Sequence, residues 1–181
     1  MTGEHKQAVL QRLWPAGAKP GSSVWGILDC ARDPAIYGAL LESRLEFRCL
    51  FSGTLVREVE INAPQLVELL PSNRLVHHWL DEGWGQSWGV MLRVADAANL
   101  RHHLRKLLKV RVEGYERPLL FRFYDPRVLR AVLPTCSAEQ SRELYGPIEA
   151  YLAEQADGTL SEYRFDGSAI RQQLLEASVP S

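Results

Sequence analysis

Little in this sequence points to a disulfide framework, a membrane or a polyanion. Cys30, Cys49 and Cys136 are the three cysteines, far apart and odd in number, which argues against both a paired framework and a CxxC metal knuckle. Cys30 and Cys49 lie in strand-like apolar runs and read as small buried hydrophobes. No apolar run approaches the roughly 20 residues of a membrane span. The first residues, MTGEHKQAVLQRLWPAG, mix charges and contain no leader-length apolar stretch, so residence in the cytoplasm, away from membranes, is the expectation. A formal net charge of −1 and a pI of about 6.5 provide no global field for nucleic acid or an anionic bilayer.

Catalytic motifs are missing as well. The chain has no GxxxxGK[ST] phosphate loop, no GxSxG nucleophile elbow and no HExxH zinc helix. His77-His78 and His102-His103 are adjacent pairs, which on a helix diverge by about 100 degrees and cannot easily share one metal. They read as surface histidines, and no metal, cofactor or catalytic residue is implied. One enzymatic alternative stays open. Asp29 and Asp33, near the end of an expected strand, resemble the paired carboxylates of a small hydrolase, although no lysine or glycine-rich phosphate cradle accompanies them.

What is present is an ordinary globular composition, 46% hydrophobic and 24% charged over 181 residues, enough for one well-buried domain. VWGILDC, residues 24 to 30, predicts a strand, and Asp33-Pro34 then opens a helix through AIYGALLES. Asp33 suits the N-cap because its carboxylate can accept from orphan backbone N–H groups, and Pro34 suits the first helical position, where a missing N–H costs nothing. EFRCLFSG predicts a strand, and Pro64 with QLVELL a short helix. A helix is expected near residues 74 to 81, a Gly-rich turn at Gly83 to Gly85, and a strand from Trp88 to Val94. Leu100, Leu104, Leu107 and Leu108 form the apolar stripe of an amphipathic helix capped by Asp96, with Arg101, Arg105, Lys106 and Lys109 off that stripe on a basic face that solvation explains adequately, a dedicated surface for an acidic partner being the alternative.

VRVEGYERPLLFRFY predicts a hairpin around Glu113-Gly114, placing Leu119, Phe121 and Phe123 on one face and Leu120, Arg122 and Tyr124 on the other. Asp125-Pro126 repeats the acid-proline junction and opens another helix. Arg122 needs water or a carboxylate, since a buried unpaired charge costs several kcal/mol; Asp29 and Asp33 are the natural partners. A capped helix from Ser137, a break at Gly146-Pro147, a further helical segment, a strand through LSEYRF and a final helix from about Gly167 to Glu176 complete the reading.

Alternating strands and helices favour an α/β fold with a mixed or mostly parallel sheet flanked by helices and a small helical C-terminal lobe. The expected organisation is an N-terminal helical extension over 1–23, an α/β domain over 24–135 and a mainly helical segment over 136–181. In such sheets the carboxyl ends of strands line the ligand crevice, and Asp29, Asp33, Tyr124, Asp125 and Arg127 could collect there. Trp79, Trp84 and Trp88 cluster around the Gly-rich turn, and aromatic side chains are favoured where proteins bind each other. Trp84, Trp88, Tyr124 and Arg127 are therefore the expected partner contacts, with Asp29, Asp33, Pro34, Arg122, Asp125 and Pro126 as the structural motif behind them.

LDCARDPAIYGALL, WGVMLRV followed by HLRKLLKV, and FRFYDPRVL with the later EQ and YGPI together resemble the bacterial type VI secretion adaptor chaperones, the Tap and Tec effector-loading adaptors. The resemblance covers roughly residues 24 to 147, and FRFYDPRVL is its most specific element. It implies a cytoplasmic, non-enzymatic protein that binds a type VI effector and helps mount it on the VgrG spike, a second possible contact. It implies an α/β lobe with a helical lobe that grasps the client, although the residues after 147 leave room for only a small one. It assigns no client contact residue by residue.

Overall fold

The computed structural model describes residues 2–111 and 114–175. A seven-stranded sheet organises them, built from β1 (Ser23–Asp29), β2 (Phe47–Cys49), β3 (Pro64–Leu69), β4 (Gly89–Val94), β7 (Ile148–Glu154), β8 (Leu160–Phe165) and β9 (Ile170–Leu175), in the order β2-β3-β1-β4-β7-β8-β9. Every pairing in it is antiparallel. A separate two-stranded ribbon pairs β5 (Lys109–Val110) with β6 (Leu119–Leu120). The expected mixed or mostly parallel sheet is thus corrected to an antiparallel one.

The reason lies in how the sheet is covered. Helices α1 (Gly3–Leu13), α2 (Pro34–Ser43) and α4 (Arg74–His78) pack on one face, where Val9, Leu13, Val24, Leu28, Ile36, Leu40 and Trp79 share a buried core. Helices α5 (Leu100–Leu107), α6 (Pro126–Val132) and α7 (Ala138–Tyr145) pack on the other, with Ile27, Val90, Leu92, Leu104, Phe123, Leu129 and Tyr151. Strands buried on both faces lose the apolar-polar alternation of a half-exposed antiparallel sheet and read like the strands of a parallel one. All six residues of β4 are buried. Each fully buried Leu, Ile or Val adds about 1.5–3 kcal/mol, so both layers are firmly held to the sheet.

The small helical C-terminal lobe is likewise corrected. The segment after Pro147, expected to be helical, is β7, and the final helix expected from Gly167 is β9 as far as Leu175; Glu176 lies outside the described residues. β7 pairs with β4, so the sheet runs continuously across residue 135. QLVELL is the strand β3 and not a helix. Short apolar runs buried on both sides are ambiguous between the two states, and partners on both flanks decide for the strand. Helix α3 (Arg57–Asn62) precedes it and buries none of its residues. A five-residue π-helical segment, Trp79–Gly83, continues α4. No helix among the described residues is long and apolar enough to cross a membrane.

Several local expectations match what forms. Asp33 caps α2, accepting from the Ala35 N–H at 2.8 Å, with Pro34 in the first turn. Ser137 and Gln140 form a reciprocal capping box on α7. Asp96 accepts from the Ala98 N–H at 2.9 Å but sits one turn early, because α5 starts at Leu100.

Candidate partner-binding rim

β1 ends on Asp29, whose backbone N–H donates to the Trp88 carbonyl at 2.8 Å just before β4 begins. Side chains alternate across a strand, so Asp29 shares the face of Ile27 and points under the α6 side of the sheet. There the chain arriving from β6 makes a tight turn, with the Asp125 N–H donating to the Arg122 carbonyl at 2.9 Å. The expected hairpin register stops at Leu120. Because the chain turns at once, Phe123 and Tyr124 are both buried in one core, while Leu119 and Leu120 are both exposed. The turn expected at Glu113-Gly114 falls partly outside the described residues, at Glu113.

The turn delivers Arg122 to Asp29. Its Nη2 donates to the Asp29 carboxylate, and the guanidinium carbon lies 5.9 Å from the centre of the Tyr124 ring. Asp29 is buried, whereas the Arg122 side chain keeps 40% of its exposure. Burial alone would lower the Arg122 guanidinium, but its bond to Asp29 and the nearby acids raise it. Tyr124 is pushed up to about 12, first by burial and then by the negative charge of Asp29.

Asp125 is the second buried acid. It caps α6 by accepting from the Arg127 N–H at 3.0 Å, and it receives the Arg127 side chain as a fork, Nε at 2.9 Å and Nη2 at 2.6 Å. Burial would raise the Asp125 carboxyl, yet these bonds from Arg127 hold it below its ordinary value. The two carboxylates thus face inward, each held by an arginine whose outer side meets solvent. Pro126 begins α6 and is itself buried.

Of the residues expected to gather, Asp29, Tyr124, Asp125 and Arg127 do so, with Arg122 joining Asp29 to this turn. Asp33 and Pro34 instead start α2, and the Asp33 carboxylate is engaged in that cap. Trp88 and Tyr124, expected as partner contacts, are buried core residues; Trp88 packs on His78 with ring centres 5.5 Å apart. Trp84 is half-buried and donates its indole N–H to the Gly158 carbonyl at 2.7 Å. Arg127 remains accessible at the rim.

A residue that sequence reasoning passed over also shapes this end of the sheet. Glu154, the last residue of β7, is buried and accepts from the Gly85 and Ser87 N–H groups, both at 2.7 Å, pinning the loop between Trp84 and Trp88. Burial raises its carboxyl, against the pull of those amides. Its only signal is the pattern that also marks Asp29, an acid closing an apolar run, hidden here inside IEAYLAE. A second buried cluster, missed for the same reason, joins Arg93 to Glu162 and to the carbonyl of Arg12 and so fastens α1 to the sheet.

The thiols carry no signature of a nucleophile. Burial, followed by the charge of Asp29, pushes Cys30 up to about 12. Among the described residues no group of His, Cys, Asp and Glu is placed to hold a metal ion. The family model described as "Domain of unknown function (DUF4123)" matches residues 24–143, from the start of β1 into the last turn of α7. No curated protein and no solved structure gives a significant match.

Proposed function

The chain belongs to the DUF4123 family, and from that membership we propose that it is a cytoplasmic adaptor chaperone, not an enzyme, that binds a type VI secretion effector and assists its loading onto the VgrG spike. The observation that carries the reading is the state of the rim's two acids. Asp29 and Asp125 are buried and each is held by an arginine, so both carboxylates face inward and the groups that meet solvent at the rim are the two arginines. Arg122 and Arg127 present their outer faces from a frame that needs little ordering on binding, and preorganised polar groups with a planar fork suit recognition of a polypeptide.

The hydrolase alternative requires Asp29 and Asp33 to act together. Asp29 is paired with Arg122 and Asp33 caps α2, which favours recognition over turnover. Deleting the gene and following secretion of the effector encoded beside it tests the proposal. The expected result is retention or loss of that effector, restored by the gene in trans. Unchanged secretion, or phosphate or ester hydrolysis by the purified protein that Asp29→Asn abolishes, would contradict it.

A further inference from the structure

Away from the rim, α5 stands beside strands β1 and β3. Leu100 and Leu104 anchor α5, and next to it opens a groove of about 630 Å³ floored by Trp25, Leu66 and Leu70. A second hollow of about 240 Å³ follows along the same helix, lined by Phe51, Leu55 and Leu120. Arg105 borders both, so the two hollows are neighbours along this side of the molecule, and together they make the two compartments of one candidate binding channel.

Two independent features mark this channel. Leu70 lines the first compartment and Leu120 the second, 46% and 52% exposed, and large apolar surface left open in a concavity is a mark of an interaction site. One wall is cationic. The side chains of Arg105, on α5, and Lys109, on β5, have no ion-pair or hydrogen-bond partner among the described residues, and Arg101 is tied through Nε and Nη2 to the Cys49 carbonyl. Glu46 and Glu68 stand on the far side of the first compartment, Glu46 beside Arg48 at 3.7 Å. Among the described residues no acid lines the second compartment.

We propose that this channel seats an acidic amphipathic segment of the client polypeptide, its apolar side on Leu70, Phe51 and Leu120 and its carboxylates along Arg105 and Lys109. The assignment rests on the adaptor reading and names the chemistry of the segment recognised. A nucleic acid would have little use for the apolar floor, and the net charge of −1 supplies no long-range field for one. A lipid surface needs a protruding apolar face, whereas this one is recessed.

The test uses the full chain co-expressed with the protein encoded beside its gene. Wild type should capture that protein. Arg105→Glu with Lys109→Glu should weaken capture roughly tenfold or more, as like charges across an interface do, with an unchanged melting temperature. Hydrogen exchange on the wild-type complex should slow in residues 47–55 and 100–109, and in a partner segment rich in Asp and Glu between apolar residues. Undiminished capture by the folded double variant, protection confined to other surfaces, a protected partner segment that is basic, or capture abolished by nuclease would overturn the channel assignment while leaving the adaptor reading intact. If wild type captures nothing, the adaptor reading falls and this inference with it.

Discussion

Arg122 bonds to Asp29 across 93 residues of sequence, and the two ends of that bond differ sharply in exposure, 40% for the arginine side chain and 2% for the aspartate. Removing one partner therefore should not equal removing the other. Arg122→Ala strands a buried carboxylate and should cost about 3 kcal/mol. Asp29→Ala leaves a guanidinium that can turn to water and should cost about 1 kcal/mol. Urea melts of the two single variants and the double should show this order, with the double well below the sum; equal costs would place the ion pair in solvent.

Asp125 supplies both a cap and half of an ion pair, and substitution separates the two. Its folded carboxyl lies below the unfolded value of 3.8, so the stability it contributes is complete above that value and is lost as pH falls through the lower folded one. Asp125→Asn keeps the α6 cap and should flatten this acid dependence. Asp125→Ala should also lose the cap, about 1 kcal/mol more near neutrality. Melting curves from pH 7 down to pH 2 check both.

Glu154 should govern the loop that carries Trp84. Without its carboxylate the Gly85 and Ser87 amides lose their acceptors, and two unsatisfied donors cost about 1–3 kcal/mol each unless the loop opens to water. Glu154→Ala is therefore expected to speed hydrogen exchange at Gly85 and Ser87 and to shift the Trp84 emission towards that of exposed indole. The folded carboxyl of Glu154 lies above its unfolded value of 4.5, so its own ionisation lowers stability as pH rises through that interval, and Glu154→Gln should remove that slope.

Two glycines should respond in opposite directions. A Cβ on Gly89 would sit 2.0 Å from the Ile27 carbonyl oxygen, a backbone atom that cannot move aside, whereas one on Gly38 would meet nothing within 4 Å. Gly89→Ala should lower stability by about 3 kcal/mol or more. Gly38→Ala, on the exposed side of α2, should raise it by about 1 kcal/mol.

How legible the molecule was from sequence depended on whether a feature is local. The Asp33-Pro34 and Asp125-Pro126 corners, the Ser137 cap and the stripe of α5 use contacts within a few residues and were read close to where they form. Strand direction was not, because β1 and β4 owe their continuous apolar character to helices on both faces, a tertiary fact. QLVELL and IEAYLAE read as helix in the sequence because a doubly buried strand erases the period of two. The Arg122 need for a carboxylate is legible, with Asp29 one of two candidate partners, since an arginine between phenylalanines demands compensation. Glu154 and Glu162 were not, because nothing near them in sequence reveals which amide or guanidinium folds against them. Trp88 and Tyr124 show the converse: aromatic clustering cannot distinguish an interface from a core.

The most direct test of the central claim is the mass of the species formed when the purified protein is mixed with the effector encoded beside it, measured by light scattering during size exclusion. The adaptor account predicts a single peak whose mass is the sum of the two chains in a fixed ratio. Two peaks at the separate masses, at concentrations well above a micromolar, would contradict it.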